Sequence, residues 1–531
     1  MPDGLPNAEP PPISPDAADL ASFGYRENLD RSLGGFSSFA AGFSYLSILT
    51  GLPQLFYLGY GAAGPAFFWA WPVVLLGQLA VACCFAELAA EIPLSGGVYQ
   101  WASRLGWGAS GWLAGWVALA CAVVSMASVA LALQGTLAQL IPWFARAETA
   151  VDPLAASRDA VWLGCALIAL SVAINLAGVR LLARINNIGV FAELVGAVVL
   201  VASLFWASRR GPSVVLDTQG RGLGAPLGYL GPFLLGALVP SFVMYGFDSA
   251  GSLAEETVNP RRLAPRAILG ALLAAGVMGG ALILGSLMAA PDLADPDLAR
   301  RVGGGMPAII RGAVHPALAR FLLIDVAVAI LICTMTVHAL AVRLIFAMAR
   351  DNTLPWSARL AAVGGAGRSP RLPVVLVGLA AAAVLLLNAN SPSVVELLAA
   401  VAIVWANLGY LFVTIPQLAR RRAGGGPVVG VPGGAKLFHL GRWGWPINLV
   451  AVGWSLALVL NVGWPRASIY GEPWHQRLVA LWATLALLGL GWFYHGWSRR
   501  RGGPDVLAEH RATRPDGDPG RTVAVTEERL R

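Results

Sequence analysis

Long apolar runs separated by short polar segments fill almost the whole chain. Twelve of them fall near 34–58, 66–91, 110–141, 160–178, 186–207, 228–253, 266–290, 320–346, 373–388, 392–416, 444–462 and 477–497. A helix needs roughly 20 apolar residues to cross a bilayer. The pattern therefore predicts an all-α membrane protein of about 12 transmembrane helices. The ninth run is short and lies close to the tenth across Asn388-Ala389-Asn390-Ser391-Pro392, which reads as a tight helical hairpin.

Two runs violate helix rules in their middles. The first contains Ser44-Tyr45-Leu46-Ser47-Ile48-Leu49-Thr50-Gly51-Leu52-Pro53. The sixth contains Pro240-Ser241-Phe242-Val243-Met244-Tyr245-Gly246-Phe247-Asp248, with an acid at mid-depth. Unwound backbone is tolerated in a membrane only where it lines a cavity or is buried in protein. The two runs sit five spans apart, and interruptions at matching places in two halves point to an inverted-repeat carrier. A broken helix offers amide N–H groups at one new end and carbonyls at the other, which attract a carboxylate and a cation respectively. Packing by small residues is the competing explanation.

Composition supports the lipid environment. Of 531 residues, 57% are hydrophobic and 12% charged, against about 25% charged in soluble domains. The net charge of +8 comes from basic residues spread over short loops and a tail, which excludes a nucleic-acid-binding face and suits anchoring on the inner side. With the amino terminus inside, most of the 37 Lys and Arg fall on inner segments, and a majority remains without the C-terminal tail. Both termini are then expected in the cytoplasm, in a cell (plasma) membrane. Residues 1–32 are Pro-rich and acidic, lack a signal-peptide core and form a cytoplasmic N-terminal tail. Residues 499–531, rich in Arg, Asp and Pro, are expected to form a disordered cytoplasmic C-terminal tail. The outer segment 291–319 is expected to carry short helices. Cys83, Cys84, Cys121, Cys165 and Cys333 all lie in apolar runs and read as small packing residues. No metal-ligand spacing is visible, and no cofactor is expected.

Four motifs carry a family resemblance. Ala86 to Tyr99 (A-E-L-A-A-E-I-P-L-S-G-G-V-Y), Asn175 to Asn187, Tyr245 to Pro265 (Y-G-F-D…E-E-T-V-N-P-R-R-L-A-P) and Arg343 to Pro355 stand in order on the expected inner side. Together they resemble the amino acid–polyamine–organocation (APC) superfamily. The F-S-Y-L-S-I-L-T-G-L-P stretch is most similar to its amino acid/choline branch. The resemblance implies a leucine-transporter-like 5+5 inverted repeat within a transporter domain of 33–498. Repeat one would span about 33–208 and repeat two about 227–417, with peripheral helices over about 443–498. It places the substrate among Ser44, Tyr45, Ser47 and Ile48 of the first break and Tyr245, Gly246, Phe247 and Asp248 of the second. It also implies an inner-face group of Glu87, Glu255, Glu256 and Arg343, expected to form ion pairs that hold one conformation. The first break reads Leu46-Ser47-Ile48 where many members carry Gly-Ser-Gly, which leaves room for amino acids, γ-amino acids, polyamines or choline-like amines.

Glu193 lies six residues after Asn187, at an offset where many superfamily members resemble one another in carrying lysine. A carboxylate in a membrane core is costly. It could carry a proton, pair with a bound cation, or sit in a salt bridge or wet crevice with no coupling role. For Asp248, a pocket or gating role stands beside capping of freed amides. His338 reads as a packing group, Asp325 and Glu396 as solvated helix-end residues, and Gln134, Asn175 and Asn407 as interhelical hydrogen bonds. Tyr245 and Phe247 could cover a cation with their rings. The expected function is secondary active transport of an amino acid or related amine, with proton symport favoured over solute exchange. The apolar runs hold neither H-E-x-x-H nor G-x-S-x-G, which argues against an embedded enzyme. A channel on the same fold remains the third class.

Overall fold

The computed structural model describes residues 14–106, 109–145, 155–301, 303–364, 369–390, 393–424 and 437–500. Among the described residues the chain is nearly all helical and forms no β-strand beyond two isolated bridges. Ten helices are long and apolar enough to cross a membrane, and Leu230–Val243 and Arg371–Leu387 are shorter apolar helices. Ten of the twelve expected runs thus form helices of spanning length, and the sixth and ninth form the two shorter ones. Ser391 and Pro392 of the expected hairpin lie outside the described residues, as do residues 501–531 of the C-terminal tail.

The first span is two helices, α1 (Gly35–Leu46) and α2 (Ile48–Ala63). It is followed by α3 (Ala70–Glu91), the short α4 (Gly97–Leu105), α5 (Ser110–Leu140), α6 (Ala155–Leu176) and α7 (Val179–Trp206). The sixth span is α8 (Leu230–Val243) and the one-turn α9 (Ser249–Ser252). Then come α10 (Pro260–Ala289), α11 (Pro316–Arg350), α12 (Arg371–Leu387) and α13 (Val394–Arg422). The last two are α14 (Gly444–Gly463) and α15 (Val479–Arg500). The segment 291–319 carries the expected short helix, Gly305–Ala313.

The packing repeats itself when each span is exchanged with the one five places later. α5 packs on α13 as α11 packs on α7, and α1 packs on α10 as α8 packs on α3. α1 meets α7 as α8 meets α13, whereas α3–α10, α5–α11 and α6–α12 are their own counterparts. Five is odd, so the second half enters from the opposite side: this is a five-plus-five inverted arrangement. α14 packs on α3 and α13, and α15 on α5 and α13, outside the ten-span core. The most lipid-like faces belong to helices with few protein neighbours, such as Ile188, Phe191 and Val198 of α7 and Trp492 and Phe493 of α15, all exposed.

Both breaks have a local cause. Ser47 sits at φ +25°, outside the helical region, between α1 and α2. In the sixth span Gly246 sits at φ +89°. A Cβ there would lie 1.9 Å from the Tyr45 ring, so only glycine permits this turn beside the first break.

Candidate substrate site

The face bearing α4 and the turn Pro93–Gly96 is called the motif face below. Two small hollows, which share Tyr45 and Tyr245 in their linings, lie between the breaks. The deeper is bounded by Tyr45, Ser47, Thr50, Ser125, Tyr245 and Cys333. The other, toward the motif face, is lined by Tyr45, Cys121, Tyr245, Gly246, Asp248 and Tyr410, among others. Of the eight residues expected at the substrate, Tyr45, Ser47, Tyr245, Gly246 and Asp248 therefore face a cavity. The other three do not line these hollows. Ser44 points to α11 and hydrogen-bonds Thr336 at 2.8 Å. Ile48 is fully buried behind the break. Phe247 packs on Phe85 and Tyr410.

Tyr45 and Tyr245 face one another edge to face, with centroids 5.8 Å apart, and the Tyr245 hydroxyl bonds to Ser125 at 2.8 Å. Tyr410, from the unbroken α13, bridges the second break: its hydroxyl accepts from Gly246 N–H at 2.7 Å and donates to Asp248 Oδ1 at 2.8 Å. Asp248 thus both lines the cavity and is tied to the freed backbone. Cys121 and Cys333 do more than fill space. Both line the hollows, and each Sγ lies beside a backbone carbonyl, of Ala402 and Tyr45 respectively. Among the residues missed in the sequence, Tyr410, Ser125, Thr50 and the two thiols stand out.

Glu193 comes from α7 to the start of α2. Its Oε1 accepts from Ser47 Oγ at 2.9 Å and from Leu49 N–H at 3.4 Å, and its Oε2 makes no hydrogen bond to the protein. The residue is 1% exposed. It is not in a salt bridge, so that expectation gives way to a carboxylate on a helix N-terminus. Asp325 is not a solvated end residue either: it is buried, with its carboxylate pressed against Gly196 of α7. Two helical turns before Glu193, Asn186 accepts from Thr336 at 2.9 Å. These two residues line a crevice between α1, α7 and α11 that ends at Glu256 and Arg343 on the motif face.

The motif-face acids find partners, with one exchange. Arg343 and Glu256 form a buried pair at 2.8 Å, as expected. Glu255 instead pairs with Arg350 at 2.8 Å and accepts from Ser95 N–H at 2.9 Å, tying α11 to the turn before α4. Glu87 is elsewhere, between α3 and α13, bonded to Arg421, Gln417 and His439. Glu87, Glu91 and His439 bring donor atoms within 4.8 Å of one another, but Arg421 and Arg420 already balance the two carboxylates. His338 is satisfied by Ser171 and the Val374 carbonyl. Asn175 and Asn407 donate to carbonyls of their own helices rather than across an interface.

On the opposite face Tyr57 donates to Glu396, joining α2 to α13, and Tyr60 donates to the Leu293 carbonyl at 2.5 Å. Glu396 is thus a bridging group and not a solvated one. Both faces are thus bridged by side-chain bonds between the spans.

The family model for amino acid permeases matches residues 33–487. This chain belongs to the amino acid permease family. Among relatives, the permease is 26% identical to amino-acid permease BAT1 of Arabidopsis thaliana over 90% of its own length and 93% of that protein. It is 27% identical to the BAT1 homolog of Oryza sativa over 83% of its length and 85% of the relative. Amino-acid permease 2 of Neurospora crassa is 24% identical over 90% of this permease and 87% of the relative. The APC resemblance drawn from the four motifs is confirmed at the level of the superfamily.

Proposed function

We propose that the permease is a secondary active transporter of an amino acid or a related amine, working by proton symport and alternating access in the plasma membrane. Its termini face the cytoplasm, so the motif face is the inner one. Residues 33–208 and 227–417 act as the two repeats, and 443–498 as peripheral helices. The passenger binds between the two breaks, against Tyr45, Ser47, Tyr245, Gly246 and Asp248. The observation that carries this reading is Glu193: a buried acid that holds the first break while one of its oxygens has no protein partner. An intramembrane acid with that geometry is a functional group by default. A crevice lined by Asn186 and Thr336 lies two helical turns from it, on the motif-face side.

The test is uptake of labelled amino acids into proteoliposomes under an imposed pH gradient. Wild-type protein should concentrate its substrate, and Glu193→Gln should lose the gradient-driven component. Undiminished gradient-driven uptake by that variant would remove Glu193 from the coupling.

A further inference from the structure

The start of α2 is the amide-bearing end that the first break creates, and it is already occupied. α2 is a 16-residue helix. The amides of Thr50 and Gly51 turn back to the Ser47 carbonyl at 3.0 Å each. The Leu49 amide instead goes to the carboxylate of Glu193, which also takes the Ser47 hydroxyl. Its second oxygen is buried and unpaired. Ser47 itself borders the hollow between the breaks, so Glu193 and a passenger in that hollow address the same helix end from two sides.

We propose that Glu193 is an internal competitor for the substrate's carboxylate, so that proton and substrate are coupled by exclusion at the α2 N-terminus. This rests on the symport reading above and adds the passenger's class: a zwitterion with a carboxylate, rather than a plain amine. Two carboxylates cannot share one helix end without strong mutual repulsion. A proton arriving on Glu193 Oε2 makes the group neutral and weakens its hold on Leu49 N–H and on the positive end of α2. The substrate carboxylate then takes that end. When the substrate leaves on the other side, the carboxylate of Glu193 returns and its proton departs. By linkage, protonation must favour substrate binding as much as substrate binding favours protonation.

The charged surroundings are sparse. α1 and α2 carry no charged residue, and α10 has only Arg261, Arg262 and Arg266, all in its first two turns. α6 carries Arg158 and Asp159 at its far end from the motif face, and the other charges of α7 itself are Arg180 and Arg184 at its motif-face end. From α11, Cys333 borders the same hollow and Asp325 lies against Gly196, one turn along α7. The remaining titratable groups of α11 are Arg320, His338, Arg343 and Arg350. Asp325 adds negative charge beside Glu193, which works with the exclusion rather than against it.

The experiment measures binding and proton uptake together, on the purified full chain in weakly buffered solution with an indicator dye. The probes are three pairs: L-leucine with isoamylamine, γ-aminobutyrate with propylamine, and L-arginine with agmatine. In wild type at least one carboxylate partner should bind about tenfold more tightly at about pH 6 than at about pH 8, taking up about one proton per ligand. Its amine counterpart should take up none. Glu193→Gln should bind the carboxylate with equal strength at both pH values and with no proton uptake. Glu193→Asp, one methylene too short to reach Leu49 N–H, should bind it more tightly at the higher pH than wild type; it keeps the test open if the glutamine variant misfolds. Binding of no carboxylate probe, carboxylate binding without proton uptake, or an unchanged pH dependence in Glu193→Gln would each overturn the competition. Flux and binding separate the two ideas: if Glu193→Gln loses gradient-driven uptake while wild-type binding takes up no proton, symport stands and competition falls.

Discussion

Tyr410 carries the second break with one hydroxyl, accepting from Gly246 N–H and donating to Asp248. Tyr410→Phe strands a buried amide and a buried carboxylate oxygen at once. Each unsatisfied group costs about 1–3 kcal/mol, so the variant should unfold at a lower temperature in detergent and bind substrate more weakly; a melting curve and an uptake assay check both. Gly246→Ala is harsher, because its methyl would need the space of the Tyr45 ring, and uptake should disappear even where protein is recovered. Ser47, Glu193, Gly246 and Asp248 were readable in the sequence because each breaks a rule for membrane helices. Tyr410, Ser125 and Cys121 break none. They lie on unbroken helices, and which way they face is set by rotations that only packing decides. Ser44 shows the same limit from the other side: it neighbours Tyr45, which lines the site, but one helical step turns a side chain by about 100°, away from the hollow. Phe247 lies in the unwound segment itself, where packing on Phe85 and Tyr410 sets its direction.

At the scale of elements, the motif face is held by a set of bonds between α11, the segment after α9, and the turn before α4. Arg343–Glu256 and Arg350–Glu255 are both buried or nearly so. Removing one partner of such a pair strands a charge, at a cost of about 3–5 kcal/mol. Arg343→Gln should therefore loosen the motif face, the inner one in the proposed orientation. Cys333 and Cys121 are natural reporters, since both line the central hollows. Their alkylation by a membrane-impermeant maleimide in inside-out vesicles should quicken several-fold in Arg343→Gln, and pairing that change with Glu256→Gln should recover part of the lost stability. Unaltered labelling would mean that the pair does not hold the gate. The motifs made Glu255, Glu256 and Arg343 legible as one group, without Arg350. They did not make the pairing legible, because α9 is a single turn and its exit swings Glu255 toward Arg350, one helical face away from Glu256.

For the whole molecule, the amino-terminal segment is bonded across the motif face. Residues 14–33 precede the first span but lie across the motif face. Asp19 pairs with Arg261 at 2.6 Å, and the Tyr25 hydroxyl donates to Asp351 at 2.8 Å beneath the Arg350 guanidinium. Burial, and then the charge of Asp351, push the Tyr25 hydroxyl up to about 12. It therefore stays protonated through the physiological range, and its share of the closure is present below about pH 10 and lost only as pH rises through about 12. This latch cannot supply a pH response near neutrality; under the proposed symport that response comes from Glu193 inside the bundle. The two functions should come apart on truncation. Removing residues 1–31 should speed maleimide labelling of Cys333 from the inner side, because the cover and its bonds to Arg261 and Asp351 are gone. The pH dependence of substrate binding should stay that of the full chain, because no group contributing to it has been removed. A truncated protein that labels faster but has also lost its pH dependence would place the proton-sensitive group in the amino-terminal segment, and Glu193 would then be only the carboxylate that holds the first break.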